Sequence, residues 1–321
     1  QPGSASDTFV LPLYNGATNM TVYWGDGSSD LITAYNQAEL THVYSLSGSC
    51  QITLDGSFYG INFANVGDKL KLSSIDNWGL NVWGIMNFAF KGCSNMTANY
   101  SDSPDTSSVL KMYQAFSGCT LFNGDLNINT SLVSDMRNMF YNCTNFNGYV
   151  PFDTSNVTTI REMFRGCTNF NKPVNFNTVK VLDTVFMFYQ CSNFNQTINF
   201  DMSAVGITTL MFYQCISFNS PVTFTNGSGV TSFSNTFNGC TIFNQDISAF
   251  DITSITTAVS MLIGTAFSKT NYDLLLPAWD AYGTSNVPFH AGTAHYSAGA
   301  PTTAHDAMVA RGWTITDGGT P

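Results

Sequence analysis

Asp153-Thr154-Ser155-Asn156-Val157-Thr158-Thr159-Ile160-Arg161-Glu162-Met163-Phe164-Arg165-Gly166-Cys167-Thr168-Asn169-Phe170-Asn171 decides the fold, because it recurs. Seven of the eight cysteines, at 93, 119, 143, 167, 191, 215 and 240, follow one another at steps of 24 to 26 residues. Three residues before each stands a Phe: Phe90, Phe116, Phe140, Phe164, Phe188, Phe212 and Phe237. Three after stand Phe122, Phe146, Phe170, Phe194, Phe218 and Phe243, and four after stand Asn123, Asn147, Asn171, Asn195, Asn219 and Asn244. A period of about 20–50 residues is the mark of a stacked array.

The apolar offsets have two rhythms. From ten residues before the cysteine (Val109, Val133, Val157, Val181, Val205, Val230) to three after, they recur every three or four residues, which predicts a short helical turn. At seven and nine after they alternate, as in Val150/Phe152, Val174/Phe176 and Ile198/Phe200, which predicts a short strand. The expectation is a mainly β solenoid of seven to eight coils, with strands centred near Leu126, Val150, Val174, Ile198, Val222 and Ile247 pairing in parallel. One such unit cannot bury its apolar face alone; stacked copies share a core.

At this point the residues resemble a known family. Ala115-Phe116-Ser117-Gly118-Cys119-Thr120-Leu121-Phe122 resembles the AFxxCxxL core of BspA-like leucine-rich repeats, and Ser155 through Phe164 resembles their SxVTxMxxMF variant. The likeness runs from about residue 66 to 268. The tail, from Asn271-Tyr272-Asp273 to Gly318-Gly319, resembles the usual ending of that family. The resemblance implies a right-handed leucine-rich-repeat-type solenoid in a surface or extracellular setting. It implies no catalytic activity.

Working outward, residues 8–58 read as short alternating strands. Trp24-Gly25-Asp26-Gly27 followed by Thr41-His42-Val43-Tyr44 is similar to the signature of PKD-like β-sandwich domains. The expected division is therefore 1–62, a PKD-like cap; 63–265, the repeats; and 266–321, a C-terminal cap, with the change visible at Thr265. Polar caps keep arrays from stacking end to end.

The cysteine column (Cys119, Cys143, Cys167, Cys191, Cys215, Cys240) reads as buried free thiols behaving as small hydrophobes. Disulfides between adjacent coils and metal are the alternatives, the latter disfavoured because no Cys-x2-Cys occurs. Cys50 lies outside the column and reads as a strand residue. The Asn column reads as buried side chains bonding backbone, with glycan or ion binding as the rival. A turn is preferred to calcium at Trp24–Gly27. His42, His290, His295 and His305 show no ligand spacing. Among eight Asn-x-Ser/Thr sequons, Asn129, Asn156 and Asn226 are the candidate glycosylation sites, while Asn142 and Asn195 are expected to be inaccessible beside the core.

Charged residues make up 10% of the chain and the net charge is -10, which leaves no basic face for nucleic acid. No apolar run reaches the roughly 18 residues of a membrane span. No nucleophile elbow, phosphate loop or carboxylate pair is legible. The expectation is a non-enzymatic protein, without cofactor, of the cell exterior, acting in adhesion or surface assembly toward a protein or glycan partner or copies of itself. A virion structural protein (fibre, spike or decorating protein) and a carbohydrate-binding module are the rivals; exposed aromatics on one face would favour the last. An ice-binding array is poorly matched by Leu110, Ser134, Thr158, Leu182, Gly206, Thr231 and Thr256.

Overall fold

In a computed structural model of the chain, which describes residues 7–320, the molecule is mainly β with few helices and divides into two compact units, 1–152 and 153–321. The boundary falls inside the repeats, away from both expected cap junctions.

In the first unit, β1 (Thr8–Val10) pairs antiparallel with β4 (Thr41–Val43). Strand β2 (Asn19–Tyr23) lies antiparallel between β3 (Ser29–Ile32) and β5 (Thr53–Ser57). Alternation places Met20 and Val22 of β2 inside, with Trp24 and Ile32 beside them. The β2–β3 turn needs two left-handed glycines, Gly25 (φ +85°) and Gly27 (φ +96°). A Cβ on Gly25 would stand 2.6 Å from the Gln51 carbonyl oxygen, so no larger residue fits. Strand β3 was not read from the sequence, and Cys50 lies in an exposed loop before β5 rather than in a strand.

The first repeats join this segment directly. Tyr59 and Gly60 accept from Gly84 and Tyr14 N–H groups, and Phe63 donates to Ala89. Strands β6 (Ser74–Ile75) and β7 (Thr97–Ala98) pair in parallel.

The expected helical turns are not helices. Between residues 160 and 167, alternate N–H groups serve two partners. Ile160, Glu162, Phe164 and Gly166 donate to Asp183, Val185, Met187 and Tyr189 of the next coil at 2.8–3.2 Å. Met163, Arg165 and Cys167 donate three residues back, to Ile160, Glu162 and Phe164. The same pattern runs through Met112–Cys119 of the first unit. It depends on left-handed backbone five and one residues before each cysteine: Gln114/Gly118, Asn138/Asn142, Glu162/Gly166, Phe186/Gln190, Leu210/Gln214 and Asn235/Gly239. An α-helix satisfies backbone groups within itself. Here the chain turns tightly while leaving half its donors for a neighbour, which is why the three-to-four apolar rhythm did not become a helix.

The strand expectation holds for one pair only. Strands β8 (Ile198–Asp201) and β9 (Val222–Thr225) pair in parallel, Ile198 opposite Val222. At Leu126, Val150, Val174 and Ile247 the side chains are buried, but no strand forms. Instead, single parallel bridges recur eight residues before the cysteines, as in Lys111–Asp135, Thr159–Asp183, Ile207–Ser232 and Ser232–Thr257.

The core is built of ring columns. Phe164 stacks on Phe188 and Phe188 on Phe212, with centroids 5.7 and 5.5 Å apart, and each also faces the Phe six residues on at 4.2–4.6 Å. In the first unit, Phe116 lies between Phe90 (5.4 Å) and Phe140 (5.6 Å). Thr265 stands at the cysteine position of an eighth repeat and keeps the N–H bond three residues back, to Leu262, but its hydroxyl donates to that same carbonyl (2.8 Å) rather than to the preceding repeat. Beyond it, α1 (Lys269–Asp280), β10 (Pro288–His290), α2 (Ala300–Ala310) and β11 (Thr314–Thr316) close the second unit, with β10 and β11 parallel. Ala258 bridges Phe289, so the array runs into this segment without a break.

Candidate interaction surface

Each coil turns the same side chains inward and outward. The seven column cysteines are buried and unbridged, and Cys50 is free and exposed. The thiols are more than filler. Cys143, Cys191, Cys215 and Cys240 donate at 2.9 Å, and Cys119 at 3.0 Å, to the carbonyl of the preceding coil's Phe. That carbonyl also accepts its own coil's cysteine N–H, which satisfies both oxygen lone pairs. Burial pushes the Cys143 thiol up to about 12. The fused columns leave Phe116, Phe140, Phe164, Phe188, Phe212 and Phe237 without exposure.

The Asn column does not lie in the core. Asn123 and Asn195 are exposed and Asn147, Asn171, Asn219 and Asn244 are half-buried. Backbone bonding is present, but between coils: the N–H groups of Asn147, Asn195, Asn219 and Asn244 donate at 2.7–2.9 Å to the Oδ1 atoms of Asn123, Asn171, Asn195 and Asn219. Ser268 continues the ladder onto Asn244 (2.8 Å), and in the C-terminal segment the Ser297 N–H makes a similar bond to Asp273 Oδ1 (2.7 Å). The Phe before each Asn points inward, so the next residue on this extended edge points out.

The sequons follow the same geometry. Asn129, Asn156 and Asn226 are exposed. Asn129 Oδ1 accepts from Ser131, Asn156 Oδ1 from Lys180, and Asn226 donates to Asp201. Asn142 and Asn195, expected to be inaccessible, are exposed, because their coil edges carry the side chains outward.

A corner motif escaped the sequence reading. Asp105, Asn129, Asp153, Asn177, Asp201 and Asp251 each accept through Oδ1 from the N–H two residues on, at 2.8–3.2 Å. These turn bonds hold the Asp105, Asp153 and Asp201 carboxyls below the usual range. The buried threonine that follows lends its hydroxyl to the next coil: Thr106 to Asn129 (2.7 Å), Thr154 to Asn177 (3.0 Å) and Thr178 to Asp201 (2.8 Å). The recurring Asx-Thr pairs in the sequence were the available signal, as were the glycines at 92, 118, 166, 239 and 264 for the left-handed positions.

A second outward strip carries half-exposed aromatics with cations upon them. In the first unit Arg137 lies over Tyr113 (5.1 Å) and is held by Asp135. In the second, Arg165 covers Phe186 (5.0 Å) and Tyr189 (4.7 Å) and pairs with Glu162, and Tyr189 stacks on Tyr213 at 4.8 Å.

The residues of the two short N-terminal motifs meet. His42 lies flat on Trp24 (4.7 Å, 6°), its Nε2 is 2.8 Å from Asp26, and Tyr44 donates to the Trp24 carbonyl. Hydrogen bonds from Ser28 and then His42 hold the Asp26 carboxyl well below its ordinary value. At the C-terminal end, Tyr272 donates to Asp317 at 2.6 Å, and His305 stacks on Tyr296. Among the described residues no group of three His, Cys, Asp or Glu is placed to hold a metal ion, and no helix is long and apolar enough to cross a membrane.

No curated protein and no solved structure matches the chain. The family model DUF285, described as a Mycoplasma protein of unknown function, matches three times in tandem, over residues 58–150, 127–223 and 197–288. Those matches cover well over half of the 321 residues, and their succession is that of a BspA-like repeat protein. By its repeats and by the matches that tile them, the chain belongs to the DUF285 family.

Proposed function

We propose that the chain is a leucine-rich-repeat-type solenoid, capped by a PKD-like segment, that acts outside the cell in adhesion or surface assembly and does not catalyse. The observation that carries this reading is where the bonding capacity of each coil goes. Apolar rings, corner threonines and half of the turn N–H groups are spent on the next coil, and the thiols on the preceding one. What remains for a partner is a broad polar surface rather than a concave site with converging acids and bases. The Trp24, Asp26, His42 and Tyr44 cluster supports the PKD-like reading of the N-terminal segment.

Arg165 and Tyr213 both engage the Tyr189 ring, so this pair offers little to a sugar, whereas Tyr23, Tyr149 and Tyr282 are exposed and keep carbohydrate binding as the second reading. Immuno-gold electron microscopy of the native source, paired with protein and glycan arrays, tests the proposal. Label on cell or particle surfaces with protein binding supports it. Cytoplasmic label, or turnover of a substrate lost on mutating an acid–base cluster, refutes it.

A further inference from the structure

We propose that Tyr189 and Tyr213 form an oxidative cross-linking site, at which a haem peroxidase consuming hydrogen peroxide joins their rings into a dityrosine that clips two coils together. The inference goes beyond the role in adhesion or assembly and does not depend on it.

Both residues stand two before a column cysteine, on neighbouring coils. Their backbones are fixed in register, since the Gln190 N–H donates to the Tyr213 carbonyl at 2.7 Å. Their rings are parallel within 9° at 4.8 Å, and both are half-exposed. Arg165 lies over the Tyr189 ring at 4.7 Å, and Phe186 packs edge-on against the same ring at 5.5 Å. A radical on Tyr189 therefore meets Tyr213 before any other phenol. Holding two reactants in contact replaces a bimolecular encounter with an effectively unimolecular one. The Tyr272–Tyr296 contact differs: its rings meet edge to face at 83°, and Tyr272 is fully buried and bonded to Asp317.

The step balances. Each phenol yields its hydroxyl hydrogen as a proton and an electron. The two phenoxyl radicals couple through ring carbons ortho to oxygen, forming one carbon–carbon bond. The two displaced ring hydrogens return to the oxygens by tautomerisation. Two hydrogen atoms leave overall, and one hydrogen peroxide is reduced to two waters.

The test treats the full chain with a haem peroxidase and peroxide and reads dityrosine fluorescence and cross-linked peptides by mass spectrometry. The expected product is an intrachain 189–213 cross-link whose yield does not change as the protein is diluted. Tyr213→Phe keeps the ring stack, so the variant should melt like the parent and lose that product. Tyr149 is exposed and lies outside this stack, so a Tyr149→Phe control should keep the product. Retention of the intrachain signal in Tyr213→Phe overturns the proposal. So do cross-links formed solely between chains, or no intrachain product while added free tyrosine is coupled.

Discussion

The N-terminal segment, residues 8–57, and the coils of the second unit, residues 153–265, answer the same demand in opposite ways. Buried backbone groups must be paired. The segment pairs them strand to strand and pins its turn with one unrepeated cluster, Trp24, Asp26, Ser28, His42 and Tyr44. The coils pair half of their turn donors within the turn and half with the next coil, and this turn pattern and the ring contacts recur about 24 residues on. The segment therefore stands or falls on a few groups. In the coils each column contributes a modest amount many times, as expected where neighbours interact in sequence.

Thiol chemistry provides the sharpest way to break this comparison. In the native protein Cys50 should alkylate freely, while the seven column thiols react at least about a thousandfold more slowly, because they are exposed only on opening. Comparable native rates for all eight, measured by mass spectrometry, would mean that the columns are not packed. All eight should label in denaturant without reductant.

Next in size is the ring column. Phe188→Ala removes a ring with no exposure that touches Phe164, Phe194 and Phe212, and should cost about 3–5 kcal/mol in urea unfolding. A loss below about 1 kcal/mol would show that the column does not carry the core.

The left-handed positions come third. Gly118 has φ +78°, and a Cβ there would meet the Gly92 Cα and N at an ordinary 3.5 and 3.7 Å. Gly118→Ala thus isolates the backbone term and should cost about 1–2 kcal/mol. A neutral result would place this turn outside the repeated geometry.

Asn195→Ala should cost about 0.5–1.5 kcal/mol, since the Asn219 N–H loses its side-chain acceptor but keeps access to water, while the Ser220 hydroxyl retains the Asn195 carbonyl. If Asn244→Ala costs several times more, the ladder matters chiefly where it joins the C-terminal segment.

The smallest effect belongs to the segment's own charge. The Asp26 carboxyl is held low in the folded state, so its contribution is present above the unfolded value of about 3.9 and is lost as pH falls through the folded value. Asp26→Asn should flatten the acid limb of the unfolding midpoint below about pH 4 and leave its neutral-side slope unchanged. An unchanged acid limb would assign acid sensitivity to the corner aspartates instead.

Much of this was legible in the chain. The cysteine and phenylalanine columns announced the repeat, and Val174 and Phe176 are buried as their alternation required. The helix expectation failed because a three-to-four rhythm reports which side chains share a face, not which carbonyl an N–H will find. Ile160 and Met163 lie on one face, yet one donates to the next coil and the other back to Ile160. The Asn column was misplaced because apolar neighbours such as Phe194 make a polar residue look buried, when on an extended edge they force it outward.

Composition and spacing alone determined the period and the inward columns. These are properties of residue type and interval, and no partner is needed to read them. Only the tertiary structure decided that the turns would be left-handed rather than helical, that thiols would donate to a neighbouring coil's carbonyls, and that Trp24 would meet His42. Each depends on groups brought together from distant positions, and a hydrogen bond is satisfied by geometry in space, which a linear pattern does not contain.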